Sequence, residues 1–463
     1  MVRTSIETPQ LDGMKVTVMG LGAFGGGAGV AKWLAEHGAH VLVTDTKPES
    51  ELHKSVDQLR HFIDAGKVRL RLGEHHLDDF TTCDLVVANP AVPAPWNNRF
   101  LQTAASAGIP VRSEIGLLFG RLPDRTRIVA VTGSAGKSTT AAMVHHALTA
   151  CGERCVFGGN IGGTLHELLD TAFDPRTYLV LELSSFMLHW LHAERWGAAP
   201  ISRSAHAHLP QGASPHVACI TNVSPNHLDW HGSMSHYEQS KKWLVDDQLA
   251  GDVAILGPGL RHWSMPPGVE RVESENSRLT NLRLPGSHNQ INSGMALLAA
   301  QAASPHLDSD LATSALRSFT GLPNRLQFVL ERDGVRWYND SKCTTPEACV
   351  LGVHAFADSH GSLHHVHLIA GGYDKGSDLS PVANLADRLA GLYTIGKTGP
   401  AIAAAARGRA IPCETLEVAI ARIRERAKIG DIALLSPACA SWDQFDNYEE
   451  RGRQFCELAR EAS

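Results

Sequence analysis

The chain has 463 residues, room for roughly three domains of ordinary size and a core that needs no covalent staples. Lys and Arg total 42 against 48 Asp and Glu, a formal charge of −6, which excludes a chain built chiefly to coat nucleic acid. Nine cysteines at irregular spacing make no disulfide framework, and with neither an apolar signal core nor a bilayer-length apolar run the chain reads as soluble and cytoplasmic.

In chain order, residues 14–19 form an apolar strand that enters Gly20-Leu21-Gly22-Ala23-Phe24-Gly25, and a helix follows through Val30, Trp33 and Leu34. This is a literal GxGxxG. Asp45, ending the next strand, stands where a ribose-binding acid stands in a dinucleotide fold. The pattern suits NAD, and it suits other nucleotide diphosphates equally. Strands near 67–71 and 84–88, then the loop Asn89-Pro90-Ala91-Val92-Pro93, complete a unit ending near Arg112. Strands alternating with helices imply an α/β fold with a parallel sheet.

Residues 127–150, RIVAVTGSAGKSTTAAMVHHALTA, read as strand, phosphate loop and helix. Gly133 and Gly136 let backbone N–H groups close on phosphate oxygens, Lys137 adds a positive charge, and Ser138 or Thr139 can ligate Mg²⁺. Val131 stands where the full Walker pattern has its first glycine. GGNIGG, with Asn160, reads as a turn that neither strand nor helix tolerates. The run YLVLEL brings Glu182 to the end of a buried strand, where a lone acid is costly unless it meets a cation or donors. VACITNV delivers His227 at its own carboxyl end, the edge where open α/β sheets hold ligands, so Glu182 and His227 are expected to converge on the phosphate loop. A capping box at Ser235-His236-Tyr237-Glu238 starts a helix with Lys241 in its second turn. Residues 189–216, rich in Ala, Ser, Pro and His, read as a surface excursion. Beyond them LPGSHNQIN, with Asn289, leads into an alanine-rich helix over 295–303.

A third unit starts near Leu322. LPNRL puts Arg325 at the join, WYNDSKCTTPEA offers Asp340, Lys342 and Thr344, VHLIAGGYDKGSD offers Gly371, Gly372 and Lys375, and DIALLSPACASWDQF offers Ser436, Ser441 and Trp442. Three strand ends with small, polar and cationic residues describe another binding edge.

GSAGKST, GGNIGG, LELSSF, NVSPNHLDWHGS, the lysine of HYEQSKKW, LPGSHNQIN, LPNRL, NDSK, GGYDKG and LLSPACASWDQF occur in the order seen in Mur ligases. The last, with its ERGRQF continuation, most resembles the glutamate-adding branch, and the resemblance spans nearly the whole chain. It implies three α/β domains: a UDP-binding Rossmann-like unit at 1–112, a central ATP-binding unit at 113–321, and a C-terminal Rossmann-like unit at 322–463 that closes on the amino acid. The GxGxxG, with Gly22 and Asp45, then passes from NAD to the UDP diphosphate. The implied activity is ATP-dependent addition of glutamate, D-glutamate foremost, to UDP-N-acetylmuramoyl-L-alanine through an acyl phosphate, by a cytoplasmic monomer making peptidoglycan precursors. The alternatives are the same chemistry with L-glutamate or another acceptor, as in folylpolyglutamate or cyanophycin-type ligases, and a non-catalytic nucleotide-binding scaffold. An NAD-dependent oxidoreductase would leave Lys137, Glu182 and His227 without a role.

Carried over by motif, the resemblance implies Lys137 and Ser138 or Thr139 on ATP phosphates and one Mg²⁺, Glu182 as a further ligand, His227 serving a second Mg²⁺, and Lys241 carried as a carbamate. A carbamate offers the oxygen and negative charge that hard cations take, whereas a bare ammonium beside Mg²⁺ is repelled. Asn160 would contact substrate or nucleotide; Asn289, Arg325 and Asp340 would take adenosine-side or phosphate roles; Lys342, Thr344, Lys375, Ser441 and Tyr448 would grip glutamate. The chain departs from the pattern at Ala135, where Asn or Lys is common, at Asn89-Pro90-Ala91 for Ser-Pro-Gly, at Met187 for Gln and at Asn324 for His. Trp442 and Tyr448 alter the glutamate pocket.

Overall fold

In a computed structural model, residues 11–22, 26–122, 125–161, 168, 174, 176–196, 214–274, 277–373 and 376–461 are described. Lys375, residues 23–25 of the GxGxxG and residues 197–213 of the expected excursion lie outside them. The chain divides into two compact units, one of residues 1–278 with 292–313 and one of residues 279–291 with 314–463.

The first unit carries two sheets. In one, β1 (Lys15–Met19), β2 (His40–Asp45), β3 (Val68–Leu72), β4 (Leu85–Ala88) and β5 (Val111–Ser113) lie in the order β3-β2-β1-β4-β5, with every pair parallel. In the other, β6 (Ile128–Thr132), β7 (Cys155–Gly159), β8 (Tyr178–Glu182), β9 (Val217–Ile220), β10 (Val253–Leu256) and β11 (Glu270–Glu273) lie in the order β11-β10-β9-β6-β8-β7, again all parallel. β6, β8, β9 and β10 are buried along their whole length, which is why they read as unbroken apolar runs rather than alternating ones. The helix Gly26–Glu36 sinks Trp33 and Leu34 completely against the first sheet's core. Each such burial contributes about 1.5–3 kcal/mol.

Where β5 ends, Arg112 and Glu194 form an ion pair at 2.7 Å with only 1% and 3% of their side chains exposed. Glu194 Oε1 also accepts from the Ser113 N–H at 2.8 Å and from Ser113 Oγ at 2.5 Å. Burial still pushes this carboxyl up to about 7, with Arg112 and Ser113 opposing. The next residue, Glu114, opens the helix Glu114–Phe119, is 6% exposed, and among the described residues has an Oε1 with no hydrogen-bond partner. Desolvation alone raises it to about 8.

Four local expectations are corrected. The glycines of GGNIGG do not all form a turn: Gly158 and Gly159 end the edge strand β7, where a Cβ on Gly159 would stand 2.1 Å from Glu182 O. The helix with Lys241 spans Met234–Asp246 and is capped by Ser233, whose side chain accepts from the His236 N–H, so the Ser235 box is already inside it and Lys241 falls beyond its second turn. Residues 189–196 are no surface excursion: the helix Ser185–Ala193 takes in the first five of them, and Trp190, Glu194 and Trp196 are all buried. The alanine-rich helix also begins early, spanning Ser287–Ala303 and taking Asn289 into its first turn.

The second unit is built on one mixed sheet. β12 (Gln327–Arg332), β13 (Val335–Asn339), β14 (Leu363–Gly371), β15 (Leu389–Ile395), β16 (Ala410–Glu414) and β17 (Ile432–Leu435) lie in the order β12-β13-β17-β14-β15-β16. Only the edge pair β12–β13 is antiparallel. Apolar clusters cover both faces of this sheet, one with Leu368 and Leu434 and one with Ile369 and Leu435.

Candidate functional site

The phosphate loop leaves β6 at the point where the strand order reverses, between β8 and β9, the position at which open α/β sheets leave a ligand crevice. Gly133 at φ +153° and Gly136 at φ +80° bend the loop, and the helix Lys137–Ala150 starts from Gly136. A Cβ on Gly133 would sit 1.9 Å from Thr221 Oγ1. Residues following β9 clamp the loop through its backbone. The Ser134 N–H donates to Asn222 O at 2.9 Å; the Ala135 N–H donates to Asn222 Oδ1 and Asn222 Nδ2 returns a bond to Ala135 O, both at 3.0 Å. Thr221 Oγ1 donates to Ala135 O at 2.5 Å. Ala135 itself is exposed, so its methyl group leaves no buried donor or acceptor unmet. Thr221 and Asn222 went unrecognised in the sequence, although a small polar pair at the carboxyl end of VACITNV is the signal.

Glu182, 2% exposed at the end of β8, has both oxygens held: Ser138 Oγ donates to Oε2 at 2.7 Å and Asn160 Nδ2 to Oε1 at 3.2 Å. The lone acid therefore meets donors, as its burial demands. Thr139 lies half-buried on the same helical turn as Ser138. Lys137 Nζ donates back to Ser134 O at 3.2 Å. Lys241, 1% exposed, reaches 108 residues back to donate to Gly133 O at 2.9 Å, with its ammonium 4.7 Å from the Tyr237 ring centre. Burial, then the Lys137 charge, holds its pKa well below the ordinary lysine value, with Glu182 opposing. His227 caps the short helix Leu228–His231 at φ 52° and packs edge-on to Phe186. Desolvation lowers its pKa, as do the Lys137 and Lys241 charges, against Asp229, which leaves a neutral ring able to donate a lone pair.

Among the described residues, no three His, Cys, Asp or Glu side chains converge to hold a metal ion. The oxygens of Ser138 and Glu182 nevertheless suit Mg²⁺, which keeps several waters and takes the rest of its shell from phosphates rather than from a protein cage.

In the first sheet, Gly22 donates its N–H to Asp45 Oδ2 at 3.1 Å while Asp45 Oδ1 accepts from the Lys47 N–H at 2.9 Å. Asp45 thus ties the glycine turn to the end of β2. Asn89 Oδ1 accepts from the Ala91 N–H at 2.9 Å, and Ala91 is exposed. Met187 is 8% exposed in the apolar core.

In the second unit, Asp340 is 9% exposed; burial raises it to about 6 while bonds from Ser436 Oγ at 2.8 Å and the Leu326 N–H at 3.1 Å oppose, as does the Arg325 charge. Lys342 is exposed, with Nζ 5.2 Å from the Tyr448 ring centre. Thr344 lines a small cavity with Tyr373, Leu379, Thr398 and Cys439. Ser441, 2% exposed, follows β17. Asn289 Nδ2 donates to Pro285 O at 2.6 Å. Asn324 adopts φ 61° and its Oδ1 accepts from Asn339 Nδ2 at 2.9 Å, a fit to left-handed backbone that Asn makes readily.

A glycine-bent loop at a sheet's switch point, with a lysine and a tethered carboxylate, defines a phosphate-loop nucleotide-binding protein. Sequence models described as "Mur ligase MurD-like, N-terminal domain", "Mur ligase middle domain" and "Mur ligase, glutamate ligase domain" match residues 14–113, 131–258 and 324–439. Proteins named UDP-N-acetylmuramoylalanine--D-glutamate ligase are 32% identical in Koribacter versatilis, 34% in a Roseiflexus species and 35% in Anaeromyxobacter dehalogenans. These matches cover 97%, 96% and 98% of this chain and 97%, 98% and 99% of the relatives. The chain belongs to the Mur ligase family. Its fold is also that of UDP-N-acetylmuramate-alanine ligase MurC from Thermotoga maritima, at 18% identity and TM-score 0.52 over 96% of this chain and 99% of that one. MurF ligase from the same organism, solved with ADP, gives 16% identity and TM-score 0.51 over 97% and 98%.

Proposed function

We propose that the protein is an ATP-dependent ligase that joins D-glutamate to UDP-N-acetylmuramoyl-L-alanine. One observation carries this reading: a chain matching D-glutamate ligases along nearly its whole length also builds a phosphate loop with Glu182 held by Ser138 and Asn160.

The loop amides and the positive end of the helix Lys137–Ala150 receive the ATP phosphates, and Lys137 adds a full charge beside them. Asn289, Arg325 and Asp340 serve the nucleotide, while Gly22 and the turn braced by Asp45 take the UDP diphosphate. The γ-phosphoryl group passes to the alanyl carboxylate to give an acyl phosphate. The glutamate amine attacks that carbonyl, loses a proton, and phosphate leaves as the amide forms. Lys342, Thr344, Lys375, Ser441 and Tyr448 hold the incoming glutamate, and Lys137 stabilises charge on the transferring group. Ser138, Thr139, Glu182, His227 and a carbamate on Lys241 would hold Mg²⁺, two ions in all, which would neutralise phosphate charge as a Lewis acid.

Lys241 fits carbamylation. Only a neutral amine attacks CO₂, forming an N–C bond and releasing a proton, and burial holds this amine's pKa down. The carbamate keeps an N–H for Gly133 O. The reading places a monomer in the cytoplasm, where ATP and UDP-linked precursors are found; among the described residues no helix is long and apolar enough to cross a membrane.

The test is incubation with UDP-N-acetylmuramoyl-L-alanine, ATP, Mg²⁺ and a panel of D- and L-amino acids. Phosphate release with amide formation is expected with D-glutamate; no amide with any member rejects the reading, and amide with L-glutamate alone moves it to the other enantiomer.

A further inference from the structure

Arg451 is 1% exposed and lies on the helix Tyr448–Arg460, one turn after Tyr448. Its Nε donates to Ser341 Oγ at 3.0 Å and its Nη2 to Ser341 O at 2.9 Å. The same guanidinium reaches Cys439 O at 3.1 Å through Nη2 and Ala440 O at 3.2 Å through Nη1. Ala440 O also accepts from the Tyr373 N–H at 2.8 Å, and a Cβ on Gly372 would stand 2.3 Å from Ala440 O and 3.2 Å from Arg451 Nη1. One side chain therefore joins the loops that follow β13 and β17 directly, and the loop that follows β14, the next strand in the sheet, is tied to the same Ala440 O by its Tyr373 N–H. The first two of those loops carry Lys342 and Thr344, and Ser441, respectively. Ser341 Oγ donates onward to Tyr448 O at 2.8 Å, closing the circuit to the helix.

All four acceptors are neutral. Among the described residues no carboxylate pairs with Arg451; the nearby Asp443 instead accepts from the Lys397 N–H at 2.7 Å. Desolvation lowers Arg451 to about 10, so it stays protonated at neutral pH. A buried cation without a counter-ion is costly, and a neutral carbonyl cage offsets that only in part. The remaining compensation is available from an anion bound at the loops.

We propose that Arg451 is a positioning residue for an acidic amino-acid substrate: it holds the three loops in one register, and its uncompensated charge beneath them favours a dianionic acceptor over a neutral one. The inference rests on the glutamate reading above and adds to it a residue that need not touch the substrate.

The test compares R451K and R451Q with wild type, using D-glutamate and D-glutamine as acceptors. Lysine keeps the charge but not the planar fork, whereas glutamine loses the charge. Both variants are expected to raise KM for glutamate at least tenfold with KM for ATP within twofold. R451Q should also lose most of the preference for glutamate over glutamine, and R451K should retain it. Amide hydrogen exchange over 339–345 and 437–442 should quicken in both. Glutamate KM within twofold of wild type in a folded variant, or glutamate and ATP KM rising together, overturns the proposal; if R451Q does not fold, R451K decides it on KM and exchange. Wild type that turns over a neutral amino acid in place of glutamate overturns the charge argument and the glutamate reading together, whereas wild type that uses glutamate with indifferent variants overturns only the role of Arg451.

Discussion

Replacing Glu114 with glutamine keeps the shape of a buried side chain and removes its ability to ionise. In the fold its carboxyl lies at about 8, against 4.5 in an exposed chain, because burial disfavours the charged form. The folded state therefore binds the proton more tightly than the unfolded state. The stability this lends is fully present below pH 4.5 and is lost as pH rises toward 8. At about 1.4 kcal/mol per unit, the loss reaches roughly 3 kcal/mol by pH 7 and approaches 5 above pH 8. Glu114→Gln escapes that loss, so it should match wild type near pH 4.5 and exceed it by about 3 kcal/mol at pH 7. Urea unfolding at pH 5, 6, 7 and 8, followed by tryptophan fluorescence, measures the difference, since Trp33, Trp190, Trp230 and Trp263 are buried in the same compact unit. Glu194 and Asp340 also have raised pKa values, but they titrate in both proteins and cancel. A gap between the two proteins that does not change across this pH range, or a less stable variant at pH 7, would refute the reasoning.

Arg112→Met should cost about 3–5 kcal/mol by taking the ion-pair partner from the buried Glu194, whose carboxyl is then driven further toward its protonated form, and Arg112→Met with Glu194→Leu should recover most of it in the same unfolding assay. Gly133→Ala meets both a left-handed φ and Thr221 Oγ1, so ATP turnover should fall about a hundredfold or more, and adding Thr221→Ala should not restore it because φ is unchanged. Lys137→Ala should lower ATP turnover by about 10²–10³-fold or more with an unshifted melting curve; unchanged turnover would remove Lys137 from the phosphate site. Turnover should drop in CO₂-depleted buffer and return with bicarbonate, while Lys241→Ala should be inactive in both, and a wild type indifferent to bicarbonate would count against the carbamate.

Contiguous chemistry was legible without coordinates. The phosphate loop needs only neighbouring residues, since glycines, lysine and hydroxyls act through a strand, a turn and a helix that the chain forms locally. Buried parallel strands were legible too, because a strand covered on both faces must be apolar throughout. Local propensity misplaced what tertiary packing overrides. Gly158 and Gly159 resemble a turn until β8 approaches too closely for any side chain, and Ser235 resembles a cap until Ser233 takes that place.

The sequence by itself determined the α/β class, the phosphate loop and the order of its motifs. Only the tertiary structure decided which groups meet: Ser138 and Asn160 on Glu182, Asn222 around Ala135, Lys241 on Gly133, Arg112 on Glu194, and Arg451 beneath three loops. The physical reason is desolvation. A charge or an amide acquires its pKa and its need for a partner from the water that folding removes, and the groups that remove it lie tens to hundreds of residues away in the chain.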